Sequence, residues 1–265
     1  MDIDNFPILK DCICLDQLTK PRLDIHNSDT PLLCQSCEAR HKGICGALSP
    51  NQLLTLSKHT TKHVVAAEQQ IAFEGEKTRR YSNIMQGVVK LSKLTADGRQ
   101  QIVGLQFAPD FVGRPFSKES ELAIEAATEV KLCSFPSSIL EQLTSEAPEL
   151  ELRLHRQALK ELDEAREWIL TLGRKSAAER VASFLYFIAI HIDPEGNENG
   201  VTQQVEIPLR RSDIADFLGL TTETVSRQIT KLRQAGAIKI ANNRMVEVPD
   251  LKRLKELTES DNSGL

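Results

Sequence analysis

The chain has 265 residues, 40% of them hydrophobic, and a formal net charge of -4 at pH 7. That length and composition suit two compact domains with their own cores and exclude a disordered or collagen-like chain. The start, MDIDNFPILKD, lacks the basic and apolar regions of a secretory signal, and the longest apolar run, Val181 to Ile192, is too short to span a bilayer, so a cytoplasmic protein with no membrane partner is expected.

The first feature in chain order is CQSCEARHKGIC, Cys34 to Cys45, which places three of the six cysteines as C-x2-C-x7-C. In a reducing compartment clustered cysteines bind metal or do redox work more often than they form disulfides, and three thiols need a fourth ligand. His41 offers one option, although a histidine inside ARHK is more often simply exposed. Cys12 and Cys14 stand one residue apart, tight for two ligands on a single metal, and read as spare thiols. Ile44, beside Cys45, either shields whatever the thiols hold or packs the loop.

From Val64 to Pro136 short β-branched or alternating runs are separated by turn residues, with glycines at 75, 87, 98, 104 and 113 and the clearest hairpin turn at Asp97-Gly98. This pattern predicts a small antiparallel barrel or roll. Cys133, in its last run KLCSFP, reads by itself as a small buried hydrophobe.

Beyond Pro148 the period becomes helical, with Leu150, Leu154, Ala158, Leu162, Ala165, Ile169 and Leu172 spaced three or four apart before Gly173. Such a stripe is most often core. The small residues at 158 and 165 also let a second helix approach, so Leu154, Ala158, Ala165 and Ile169 are candidates for a parallel dimer seam.

The segment after Pro208 predicts a helix-turn-helix: Ser212 caps a first helix ended by Gly219, and Thr221 or Thr222 caps a second running to about Gln234. On the second helix Val225, Ile229 and Leu232 form one face, with Glu223, Ser226, Arg227 and Thr230 on another. Gly236 ends it, and AIKI and RMVEV around Asn242-Asn243 predict a hairpin wing. Between Arg210 and Lys239 six basic residues face three acidic ones, a local balance of +3 in an acidic chain. Arg donates to guanine O6 and N7, Glu accepts from cytosine N4 and Ser does either. Glu223, Ser226 and Arg227 are therefore the candidates for reading double-stranded DNA; alternatively Glu223 and Arg227 form a surface i,i+4 ion pair. No nucleophile and base set or phosphate loop emerges, so no enzyme is expected.

At TTETVSRQITKLRQAG, and at E-x-x-S-R in particular, the chain resembles the recognition helix of the FNR branch of the cyclic AMP receptor protein and FNR superfamily of transcription regulators. The likeness extends through KSAAERVASFL and through FEGE, GVVKL, DGR and FAPDFVG of the roll. It implies an α+β chain: a cysteine-rich segment over residues 1–48, a cyclic-nucleotide-binding-like β-roll over 49–147, a dimerisation helix over 148–173 and a winged helix-turn-helix over 174–265. It further implies a homodimer, an RNA polymerase contact, and palindromic sites resembling TTGAT-N4-ATCAA. In place of the Gly-Glu pair and the Arg-Ser or Arg-Thr pair that hold a cyclic phosphate in the superfamily, this chain has GRPFSKESELAIEAATEV, with Arg114 among Glu119, Glu121, Glu125 and Glu129. An anionic phosphate there meets like charge, so no cyclic nucleotide is expected.

The resemblance also implies the missing fourth ligand. FNR holds a 4Fe-4S cluster with three N-terminal cysteines and one from the roll, and Cys34, Cys37, Cys45 and Cys133 match those positions, one cluster per subunit. The seven-residue gap between the second and third thiols is longer than in the best-known FNR proteins and is similar to FixK-like and FnrN-like regulators, where CxxCxxRHxGxCGAL recurs. The expected function is an oxygen-responsive activator. Two alternatives remain open: a redox-insensitive or zinc-binding regulator of the same fold, and one that senses a small molecule in the roll.

Overall fold

The computed structural model describes residues 30–35, 37–192, 202–242 and 244–259; Cys12, Cys14 and Asn243 of the expected wing turn lie outside them. Two short helices, α1 (Leu32–Gln35) and α2 (Glu38–His41), and a 3-10 turn (Ile44–Ala47) carry the first cysteines. Helix α3 (Pro50–Lys58) follows, opened by a capping box between Ser49 and Gln52.

Eight strands build the roll: β1 (Thr61–Val65), β2 (Gln70–Ala72), β3 (Arg80–Gln86), β4 (Val88–Leu94), β5 (Gln100–Phe107), β6 (Phe111–Val112), β7 (Ala123–Ala126) and β8 (Val130–Pro136). They form two four-stranded antiparallel sheets, in the orders β1-β8-β3-β6 and β2-β7-β4-β5, and Asp97-Gly98 makes the expected turn between β4 and β5. Ile84, Val112, Val130 and Leu132 of the first sheet meet Val89, Ile124 and Ala126 of the second in the roll's core. Since strand side chains alternate, Tyr81, Asn83, Phe111, Cys133 and Phe135 point to the other side of the first sheet. That side is covered too: Tyr81, Phe111 and Phe135 are buried with Ile44, Cys45, Leu48, Leu140 of α4 (Ser137–Glu146) and Leu150.

Helix α5 (Pro148–Arg174) runs 27 residues, about 40 Å at 1.5 Å per residue. It passes through Gly173, which does not end it as the sequence pattern suggested. Helix α6 (Ala177–Ile192) buries Val181, Ala182, Phe184, Leu185, Ile188 and Ala189, so the longest apolar run is core, and no described helix is long and apolar enough to cross a membrane. Around it stand β9 (Gln203–Glu206), α7 (Arg211–Leu218), α8 (Thr222–Gln234), β10 (Lys239–Ile240), β11 (Met245–Val248) and α9 (Leu251–Glu256), with a β10-β11-β9 sheet.

Separate cores were expected for two domains, yet Val88, Ile102, Leu105 and Phe107 of the roll join the C-terminal core. Lys90, 5% exposed, stands at that junction. Its Nζ lies 2.9 Å from Glu125 of the roll and 3.4 Å from Asp213 of α7. Gln101 Nε2 donates to the Phe217 carbonyl at 3.3 Å, and Arg210 pairs with Glu68.

Candidate metal centre and nucleic-acid interface

Cys133 sits in β8 opposite Lys62 of β1 on one side and Asn83 of β3 on the other. Cross-strand partners share a face, so all three turn toward the N-terminal segment rather than into the roll. Asn83, 1% exposed, reaches across with its amide: Nδ2 donates to Cys45 Sγ at 3.3 Å. The fold thus ties the third cysteine of the loop to the cross-strand neighbour of the fourth. Cys45 lies in the 3-10 turn and Cys37 at the N-cap of α2, both buried; Cys34, in α1, and Cys133 are half-buried, and all four are free thiols. His41 ends α2 half-buried, and Ile44 is buried in the core that Cys45 shares.

Electrostatics group the same four side chains. Burial pushes the Cys45 thiol far above its ordinary range, and negative charge on Cys133, Cys37 and Cys34 pushes it further, against the Asn83 hydrogen bond. Burial, then Cys37 and Cys34, raises Cys133 to about 12, opposed by Lys62. Cys34 is raised by burial and by Cys37, with Lys62 and Arg40 opposing. The shifts at Cys34, Cys45 and Cys133 favour the neutral thiol, and a bound cation would invert that balance by taking thiolates as ligands. Among the described residues, no three His, Cys, Asp or Glu side chains are placed to hold one metal ion. Tetrahedral zinc needs four sulfurs about 2.3 Å from one point, whereas a cubane takes one thiolate per iron and spreads its ligands more widely. The donors brought together here are four thiols, a ligand type that both a four-cysteine zinc site and an iron-sulfur cluster take. Asn83 was missed in the sequence reading; its signal is an amide at an otherwise apolar strand position in YSNIM.

Helix α5 has two faces. Toward its own chain, Leu154 is buried, Gln157 Nε2 donates to the Phe111 carbonyl at 3.0 Å, Glu161 accepts from Gln106 Nε2 at 3.2 Å, and Trp168 packs on the C-terminal core. On the opposite side Leu152, Leu159, Leu162, Ile169 and Leu170 are exposed, Ile169 by 71%. Of the four seam candidates, Ile169 lies in this free stripe and the exposed Ala158 and Ala165 lie at its border. Leu154 is a correction. It shares the roll-facing side, because the first turns of α5 are covered by the cysteine loop and α4. Between the roll and α5 lies a cavity of about 690 Å³ lined by Arg80, Arg114, Glu121 and Glu161 among others; its Arg114 is paired with Glu121.

In the C-terminal domain Thr221 caps α8, its hydroxyl accepting from Thr224 N at 3.1 Å, and Gly219 closes α7 in the left-handed region at φ 62°. Ser212 is not a cap: Arg210 holds that position, without a side-chain capping bond, and Ser212 lies inside the first turn. Val225, Ile229 and Leu232 are buried, which fixes the roll of α8 about its axis. Glu223, Ser226 and Arg227 are exposed on its outer side near the N-terminus, and among the described residues no ion pair joins Glu223 to Arg227. Side chains so placed enter the major groove first. The wing forms as expected from β10 and β11, with β9 as a third strand that the sequence reading missed.

A Crp-like helix-turn-helix domain model matches residues 179–257, and a cyclic nucleotide-binding domain model matches residues 62–147. The chain is 52% identical over 236 residues to a probable transcriptional activator of Rhizobium leguminosarum bv. viciae, covering 89% of this chain and 97% of that one. It is 36% identical to the transcriptional activator protein FnrL of Cereibacter sphaeroides, over 87% and 94% of the two chains. The solved structure of FixK2 from Bradyrhizobium japonicum superposes with a TM-score of 0.68 at 30% identity, covering 76% of this chain and 98% of that one. With its roll, its long helix and its winged reading domain, the chain belongs to the Crp/FNR family of transcription regulators.

Proposed function

We propose that the protein is a cytoplasmic, oxygen-responsive transcriptional activator of the FNR/FixK type, in which Cys34, Cys37, Cys45 and Cys133 hold one 4Fe-4S cluster per subunit. The observation that carries this reading is the gathering of Cys133 with three thiols at least 88 residues earlier in the chain, through Asn83 and a shared electrostatic site. When bound, such a cluster supplies an oxygen-labile cross-link between the cysteine loop and the roll.

The rest is done by the chain. The loop so held packs on the first turns of α5, and two copies of α5 pair along Leu159, Leu162, Ala165 and Ile169. The homodimer then presents two α8 helices to successive major grooves, one helical turn apart, on palindromes of the TTGAT-N4-ATCAA type. Glu223, Ser226 and Arg227 read bases, and the bound dimer engages RNA polymerase. With the restraint gone the dimer separates, and a lone helix-turn-helix loses the second half-site and most of its affinity. The paired Arg114 and the surrounding carboxylates support a roll that works without a cyclic nucleotide.

The test is made on protein purified without air: iron and acid-labile sulfide content, visible spectrum and mass in solution, before and after oxygen. About four irons and four sulfides per chain, a brown colour that bleaches, and a dimer that falls to monomer are expected. A colourless or zinc-bearing dimer indifferent to air overturns the sensing mechanism and turns attention to the cavity of the roll.

A further inference from the structure

The cysteine loop lies directly on α5. Ile44, Cys45 and Leu48 are buried with Leu150 and Leu154 of that helix. One polar contact joins the same two elements: half-buried Arg153 donates from Nη1 to the Gly43 carbonyl, 110 residues away in sequence. The guanidinium passes through a gap that only glycine leaves. A Cβ on Gly46 would stand 2.7 Å from Arg153 Nη1 and 2.7 Å from the Arg40 carbonyl. A Cβ on Gly43 would stand 2.8 Å from the Ala39 carbonyl and 2.9 Å from that of Pro109. Gly46 therefore lets the loop lie flush on the helix, with a charged donor set into its backbone, a stronger bond than its neutral counterpart, while Gly43 lets the loop fit between Ala39 and Pro109.

We propose that Arg153 is the positioning residue through which the state of the cysteine loop reaches the dimerisation helix. This rests on the reading that a cluster on the four cysteines controls dimerisation. Arg153 turns to the loop while its neighbour Leu152 belongs to the exposed apolar stripe, so one turn of α5 carries both the input and the start of the seam. From there to Leu170 the helix extends about 25 Å. A small tilt at Arg153 displaces the far end of the seam by a larger distance, and apolar seams pair only in register. The carbonyl that Arg153 holds is two residues from Cys45, so any movement of that thiol pulls on the guanidinium.

The experiment compares the full-length protein with Arg153→Gln and Gly46→Ala, all purified without air. Iron, sulfide and the visible spectrum report the cluster; sedimentation reports the dimer. Arg153→Gln is expected to carry the iron and colour of the wild type while its dimer dissociation constant rises at least about fivefold. Gly46→Ala, whose Cβ crowds the guanidinium and the Arg40 carbonyl alike, is expected to shift in the same direction where it keeps its iron, and Arg153→Lys to recover part of the loss. Loaded Arg153→Gln protein that dimerises as the wild type does overturns this inference alone. So does loss of iron in that variant, which would make Arg153 a builder of the site rather than a link from it. A wild type without iron overturns the cluster reading, and the inference falls with it.

Discussion

Helix α8 is built from one continuous stretch: Thr221 caps it, Val225, Ile229 and Leu232 orient it, and Glu223, Ser226 and Arg227 are left facing outward. The cysteine site is assembled from four separate elements, α1, the start of α2, a 3-10 turn and the middle of β8, brought together only when β8 enters the sheet between β1 and β3. One site survives as long as a small domain keeps its core; the other exists only while a loop, a sheet and a helix hold their mutual positions. A site of the second kind can serve as a switch because removing one tether changes the arrangement of whole elements, whereas a self-contained helix has little to rearrange.

That comparison can be broken in four places, beginning with the largest effect. On the proposed cluster reading Cys133→Ser removes the ligand that the roll contributes, and iron and sulfide per chain should fall from about four to near zero under anaerobic assay while the helix-turn-helix keeps its fold. Normal iron content would show that the fourth ligand lies elsewhere. Lys90→Met strikes the junction between the two regions. It leaves Asp213 and Glu125, side chains 16% and 19% exposed, without their shared cation, and should cost about 3 kcal/mol in urea unfolding. An unchanged midpoint would mean that the roll and the reading domain are not joined through this pair.

Arg227→Ala tests the self-contained end. It should lose about 1 to 3 kcal/mol of specific DNA binding, with selectivity relaxed at one base pair of each half-site and cluster content unaffected. Retention of full base preference in a binding assay would remove Arg227 from the reading face. Thr221→Ala is the smallest change: loss of the cap should lower stability by about 1 kcal/mol by thermal unfolding, and base preference at saturating protein should stay as it was. A change in preference would show that the start of α8 also sets its pose in the groove.

Where the sequence reading held and where it slipped follows the same division. The cap at Thr221, the turn at Gly219, the buried triad of α8 and the β10-β11 wing were all legible, because each depends on neighbours within one or two turns. Ser212 slipped for a local reason, the cap falling two residues sooner, at Arg210. Leu154 slipped for a non-local one. Leu154, Ala158, Ala165 and Ile169 fall within about 60° on a helical wheel, and nothing in their spacing tells which part of the stripe the roll will cover. Lys90 drew no attention either, since a lysine in GVVKL reads as an exposed strand residue until Asp213 arrives from another domain.

By itself the sequence determined the periodicities, caps and turns that make a roll, a long helix and a winged helix-turn-helix, and it carried the three spaced thiols and the outward-facing polar residues of α8. Local backbone preference and side-chain spacing suffice for those. Only the tertiary structure decided that Cys133 turns outward from the roll beside Asn83, that the cysteine loop rests on α5 under Arg153, and that the free stripe is Leu152, Leu159, Leu162, Ile169 and Leu170. These depend on which surfaces exclude water together, and contacts between residues 50 to 110 positions apart leave no period in the chain that makes them.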